Sequence, residues 1–198
     1  LALVDHEPAK SPEVGAATFF QHCCQLAAAS VKPAPGLPAE TLASAEAALE
    51  NRFSFYEEQH QLPAEINWDF NPGTAHWGHD LNRFSYLGPL TQAQLATGDG
   101  RYGRKAVALI LDWIAKCDLG RAFTGTPYVF GSYLNNAIHC QQWCRTVVAL
   151  LPHGVLSPVQ LLRILKSLHE QVSYLEIVTN GHAGNWPTIG CQGILQTL

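Results

Sequence analysis

The sequence predicts a nearly all-α protein, and three observations carry that prediction. Apolar residues recur at three-to-four spacing through most of the 198 residues, and few segments alternate with period two. Breaks fall at Pro- and Gly-rich points, Pro33-Ala34-Pro35-Gly36, Gly98-Asp99-Gly100 and Pro152-His153-Gly154. Long helical stretches alternate with aromatic loops. That order points to an α/α barrel or toroid of antiparallel helix pairs, with a compact helical bundle as the rival architecture.

The first helix is expected over 12–31, rich in Ala and Leu, and the second over 38–55, with Glu40, Glu46 and Glu50 on its wetter side. They would form the first antiparallel pair. The pattern then breaks over 62–78, an aromatic loop holding Asn67-Trp68-Asp69-Phe70-Asn71-Pro72-Gly73, and loops of that length inside compact domains tend to be functional. Helix resumes over 79–97 and again over 101–116, separated by the Gly-Asp-Gly stop. A second aromatic loop covers 119–130. The last long helices are expected over 132–151 and 157–179, the latter with Ser157 as N-cap and Pro158 in its first position.

Composition narrows the function. Hydrophobic residues make up 47% and charged residues 14%, so the chain can build a core and is not disordered. A formal charge of -4 argues against a nucleic-acid backbone binder, which needs a basic face. It leaves room for an anionic ligand in a local basic groove. No apolar run reaches the length of a membrane span, and residues 1–10 lack the basic-then-apolar order of a signal peptide. The absence of Met and the apolar pattern running up to Leu198 are read as a single helical domain, 1–198, that is part of a larger protein. Six cysteines, at 23, 24, 117, 140, 144 and 191, include no CxxC pair and are read as buried thiols. The sequence does not determine the oligomeric state.

Three constellations could carry chemistry. The segment from His76 to Phe84 packs two imidazoles, a carboxylate, an amide, a guanidinium and a Trp into nine residues. His79, Asn82 and Arg83 share one helical face, where a helix end plus Arg83 could seat a carboxylate or sulfate. Trp77 could stack on a pyranose, or fill the loop's own core while Asp80 and Arg83 pair structurally. A zinc site built from His76, His79 and Asp80 lacks a zinc signature, and neither metal nor cofactor is expected. The second constellation is His182, Asn185 and Trp186, where the Asn185 amide at a helix start could bond a substrate carboxylate or simply cap the helix. The third is Asn135, Asn136 and His139 on the helix bearing Trp143; a lone His on an apolar helix is more often a satisfied core residue. Phosphate-loop, serine-hydrolase and zincin motifs are missing.

Taken together, Leu81-Asn82-Arg83-Phe84 with Tyr86-Leu87, Ala96-Thr97-Gly98-Asp99 with Arg101-Tyr102, and Leu109-Ile110 with Asp112-Trp113-Ile114 resemble the N-terminal helical domain of heparinase II/III-like polysaccharide lyases. The likeness is strongest over 76–117 and continues through Trp143 and Gly184-Asn185-Trp186. It implies an incomplete α/α toroid and cleavage of a uronic-acid polysaccharide by β-elimination. It also implies that Asn185 neutralises the uronate carboxylate, that Trp77, Asn82, Arg83 and Trp186 line the groove, and that the catalytic base lies beyond Leu198, leaving this chain alone inactive. His79, Asn135, His139 and His182 complete the expected substrate-binding set. The chain departs from the family pattern at Asn135, His139 and Gly190. Periplasmic or secreted localisation follows from the substrate class alone. Two rivals stand: a non-catalytic glycan-binding helical domain, and an α/α-barrel glycoside hydrolase drawing two carboxylates from Asp69, Asp80 and Asp112.

Overall fold

The computed structural model describes residues 12–30, 36–73, 76–117 and 132–179. Among them run seven α-helices and one hairpin. The helices are α1 (Pro12–Ser30), α2 (Ala39–Leu49), α3 (Trp77–Arg83), α4 (Leu87–Thr97), α5 (Gly100–Lys116), α6 (Tyr133–Leu150) and α7 (Pro158–Thr179). Between α2 and α3 lie strands β1 (Arg52–Phe55) and β2 (Glu58–Gln61), paired antiparallel with Arg52 opposite Gln61 and Phe55 opposite Glu58. The fold is the expected all-α, incomplete α/α toroid, and the described helices pack as neighbours around one aromatic core.

Local chemistry explains the helix ends. Gly98 closes α4 at φ 70, a left-handed conformation that costs an L side chain about 1–2 kcal/mol. One residue later Asp99 caps α5, its carboxylate accepting from Arg101 N at 2.9 Å. That backbone bond, then the Arg101 side chain, holds the Asp99 carboxyl below its ordinary range. Helix α7 opens with a reciprocal capping box: Gln160 N donates to Ser157 Oγ at 3.3 Å and Ser157 N donates to Gln160 Oε1 at 2.8 Å.

Two expected helices break, one where the sequence gives no Gly or Pro and one just before Gly88-Pro89. The helix over 38–55 stops at Leu49; Asn51 turns left-handed at φ 59 and the chain becomes the β1–β2 hairpin. Asn51 is held there by donating from Nδ2 to Pro63 O at 2.9 Å and accepting from Lys105 Nζ. In β1, Phe53 and Phe55 face the core while Ser54 faces out, a strand period too short to stand out in the sequence. The helix over 79–97 is two helices, because Phe84 adopts φ 60 and buries its ring fully. Tertiary packing of that ring against Trp68, with centroids 5.2 Å apart and near-parallel planes, outweighs the backbone cost.

The five cysteines among the described residues are free thiols, Cys117 and Cys140 buried and Cys23, Cys24 and Cys144 partly so. No described helix is long and apolar enough to cross a membrane.

Candidate functional site

The core of the candidate site is a buried lattice joining α3, α5, α6 and α7. Asn82 has no exposed surface; its Nδ2 donates to Trp68 O at 2.8 Å and Gly78 O at 2.9 Å, and its Oδ1 accepts from Trp113 Nε1 at 2.9 Å. Trp68 Nε1 in turn donates to Asp112 Oδ2 at 2.9 Å, and Asp112 is paired with Lys116 at 2.8 Å. His139 is also fully buried, with Nδ1 3.0 Å from the Asn82 carbonyl and Nε2 against Gln171 Oε1. Its ring stacks on Trp143 at 4.8 Å and meets Trp113 edge-on at 4.7 Å. Burial in these rings lowers the His139 pKa to about 4, so the imidazole is neutral at physiological pH.

On the outer side of this lattice a polar cluster reaches the surface. Arg83 Nη1 donates to Asp80 Oδ1 at 2.8 Å, and Arg83 Nε donates to Asn135 Oδ1 at 3.1 Å. Asn135 Nδ2 lies 2.9 Å from His79 Nδ1. Because a guanidinium only donates, the Asn135 oxygen must face Arg83 and its NH₂ must face His79. His79 Nδ1 therefore accepts, and its proton sits on Nε2. Burial first, then the Arg83 charge, lowers the His79 pKa, consistent with a neutral imidazole. The side chains of Arg83 and Asp80 keep 23% and 18% of their surface open, so a ligand can reach them, whereas Asn135 is sealed behind.

These positions revise the expectation of direct contact for four residues. Trp77 is 1% exposed; its ring is enclosed by Phe55 at 4.9 Å, His60 at 4.9 Å and Phe70 at 5.3 Å, and its Nε1 donates to Glu58 O at 3.4 Å. With so little surface open it has no face free for a sugar, and its contacts dock the hairpin on α3. Asn82, Asn135 and His139 are likewise interior, since their polar atoms satisfy neighbouring main chain and side chains, and they support the cluster from beneath. His79 and Arg83 remain as surface groups. Helix α3 is only seven residues long, so the guanidinium rather than a helix dipole supplies the positive charge. Among the described residues no group of three or more His, Cys, Asp or Glu is poised to hold a metal. Asp112 is committed to Trp68 and Lys116, which leaves the hydrolase reading without that carboxylate. Asn185, His182 and Trp186 lie outside the described residues.

The sequence reading does not single out Tyr56. It occupies the two-residue turn of the hairpin, 76% exposed and at φ 57. The Asp80 carboxylate raises the Tyr56 pKa, through hydrogen bonding first and its charge second. Only the hairpin brings Tyr56 to α3, and the hairpin was not legible.

A family profile described as the heparinase II/III N-terminus matches residues 19–197. No curated protein sequence matches the chain at a significant level. Among solved structures, a mutant heparan sulfate lyase HepC from Pedobacter heparinus is 21% identical and superposes with a TM-score of 0.83, covering 96% of this chain and 31% of its own. The HepC lyase itself, also 21% identical, gives a TM-score of 0.78 over 90% of this chain and 30% of its own. A heparinase III with methylated lysines is 16% identical with a TM-score of 0.74 over 93% of this chain and 32% of its own. At such identities the likeness is one of fold, and this chain spans about a third of the length of those proteins. With the profile matching nearly the whole sequence, the chain belongs to the heparinase II/III N-terminal family.

Proposed function

We propose that this chain is the N-terminal toroid portion of a polysaccharide lyase that cleaves a uronic-acid-containing acidic polysaccharide by β-elimination. The observation that carries the reading is the family match over 19–197, and the Arg83–His79 surface cluster agrees with it. A glycosaminoglycan is the favoured substrate class, because the similar solved structures are heparan sulfate lyases. Periplasmic or extracellular action follows from that substrate class.

In the proposed reaction a base removes the C5 proton of the uronate, the C4–O bond breaks, a C4=C5 double bond forms, and a proton reaches the leaving oxygen. The electron pair left by the C5 proton first loads the carboxylate. The Asn185 amide lowers the charge there, as an oxyanion donor does. Trp186 and His182 flank Asn185 in sequence and would line the same groove. Arg83 and His79 would hold an acidic substituent through charge-assisted hydrogen bonds. The base, a Tyr or His, would come from a part of the whole protein beyond Leu198, so this chain alone would bind without turning over.

In the whole protein, Asn185→Ala should lower turnover by about 100-fold or more, with a smaller change in KM. Unchanged turnover would remove Asn185 from the mechanism.

A further inference from the structure

Helix α3 carries two basic side chains one turn apart, and a single amide from α6 sits behind both. Arg83 Nε donates to Asn135 Oδ1 at 3.1 Å, and Asn135 Nδ2 meets His79 Nδ1 at 2.9 Å. Asn135 is fully buried, whereas Arg83 and His79 keep part of their surface. Among the described residues no protein group bonds Arg83 Nη2 or His79 Nε2, and neither atom is sealed from solvent. The chemistry of the amide decides what those two atoms can do. A guanidinium accepts nothing, so Arg83 claims the Asn135 oxygen and leaves the NH₂ for His79. His79 Nδ1 must then stay bare, and the neutral ring carries its hydrogen on Nε2. A proton on Nδ1 would face the Asn135 NH₂, and turning the amide to receive it would set that NH₂ against Arg83. The ionisable groups around His79 are Arg83, Asp80 and His76, while α6 meets it with the uncharged amide. Burial and the Arg83 charge favour the same neutral ring. Asp80 adds no open acceptor, since Oδ1 accepts from Arg83 and Oδ2 is sealed from solvent.

We propose that Asn135 is a positioning residue that sets the specificity of this cluster: by fixing the His79 hydrogen on Nε2 beside the Arg83 guanidinium, it makes a donor-only seat for an ionised, acceptor-only substituent. The inference rests on the reading of the protein as acting on an acidic glycan. A carboxylate or a sulfate only accepts, so one such group can take hydrogen bonds from Arg83 and His79 together. A hydroxyl can accept there too, but hydrogen bonds to an ionised oxygen are roughly twice as strong. Asn135 touches no ligand, because it lies behind the two side chains it orients.

Two measurements on the whole protein separate the positioning from the ligand. In nitrogen NMR of labelled histidine, the wild-type His79 ring should carry its hydrogen on Nε2 and titrate below the ordinary histidine value. Asn135→Asp is nearly isosteric, keeps an acceptor for Arg83 and gives His79 Nδ1 an acceptor in place of a donor. It should move the hydrogen to Nδ1 and raise the His79 pKa above the ordinary value. Calorimetry then follows binding of size-defined oligosaccharides of heparan sulfate, with sulfate and carboxylate, of hyaluronan, with carboxylate alone, and of chitin, with neither. Wild type should bind acidic oligosaccharides and not chitin; equal affinity for the two acidic kinds assigns the seat to a carboxylate, and tighter heparan sulfate assigns it to a sulfate. Asn135→Asp should bind them about tenfold more weakly at about pH 8, with the deficit shrinking as pH falls and His79 gains its proton. A wild-type His79 with its hydrogen on Nδ1, or one whose titration Asn135→Asp leaves unchanged, would overturn the positioning role while leaving the lyase reading intact. If wild type shows the expected ring but binds and cleaves none of the acidic oligosaccharides, both the seat and the reading beneath it fail.

Discussion

At the residue scale, the site rests on polar side chains whose partners can be counted. Asn82 bonds three groups, so Asn82→Leu would take from the Trp113 indole N–H its acceptor and from the Trp68 carbonyl a donor, both in the interior. A loss of roughly 3 kcal/mol in urea unfolding is expected, and a change under about 1 kcal/mol would contradict the lattice. Asn136 is the converse case, fully buried with neither amide atom bonded. Replacing an unpaired buried amide by an apolar group of similar volume is close to neutral or stabilising. Asn136→Leu should therefore unfold at the same or a higher urea concentration, and a marked drop would reveal partners for that amide. His139 gives a pH signature. Among the described residues its recorded partners are the Phe84, Trp113 and Trp143 rings, the Asn82 carbonyl and Gln171, with no carboxylate among them. Its folded pKa of about 4 lies below the ordinary 6.5, so the stability it contributes is complete above pH 6.5 and is lost as pH falls toward 4. The total loss is roughly 3 kcal/mol. Ring signals of His139 in NMR should stay unshifted from about pH 8 to 5; a midpoint near the ordinary histidine value would refute the buried neutral state.

At the scale of elements, the helices opened by side-chain caps were readable to within a residue or two, whereas the end of α2 at Leu49 and the start of α4 at Leu87 were not. Asp99 after Gly98 fixes the start of α5, and Ser157 with Gln160 fixes α7, because caps are local in sequence. The hairpin left a faint signal: Phe53 and Phe55 alternate with Ser54, but the turn Tyr56-Glu57 lacks the residues hairpins favour. Its stability comes instead from Trp77, whose docking contacts are long-range. Trp77→Leu should thus destabilise the protein by about 3 kcal/mol. Hydrogen exchange of the β1 and β2 amides should accelerate more than that of α5. Equal acceleration throughout would show that Trp77 supports the whole core rather than the hairpin. The candidate cluster was half legible for the same reason: His79, Asp80 and Arg83 are neighbours in sequence, whereas Asn135 arrives from 52 residues beyond Arg83.

For the whole molecule, the described helices stack on one aromatic core. The negative formal charge is compatible with an anionic polymer because Arg83 and His79 are presented locally, beside a single carboxylate that is already paired. The proposed binding cluster lies among the described residues, while the proposed chemistry calls on Asn185 and on groups beyond Leu198. Elimination leaves a conjugated double bond that absorbs in the ultraviolet, whereas hydrolysis leaves none. The most direct test incubates the whole protein and the 198-residue chain with heparan sulfate, chondroitin, hyaluronan, alginate and pectin while following ultraviolet absorbance. The account predicts a rise with the whole protein on at least one uronate polymer and none with this chain alone. Binding without any rise, or cleavage that yields saturated ends, would contradict it.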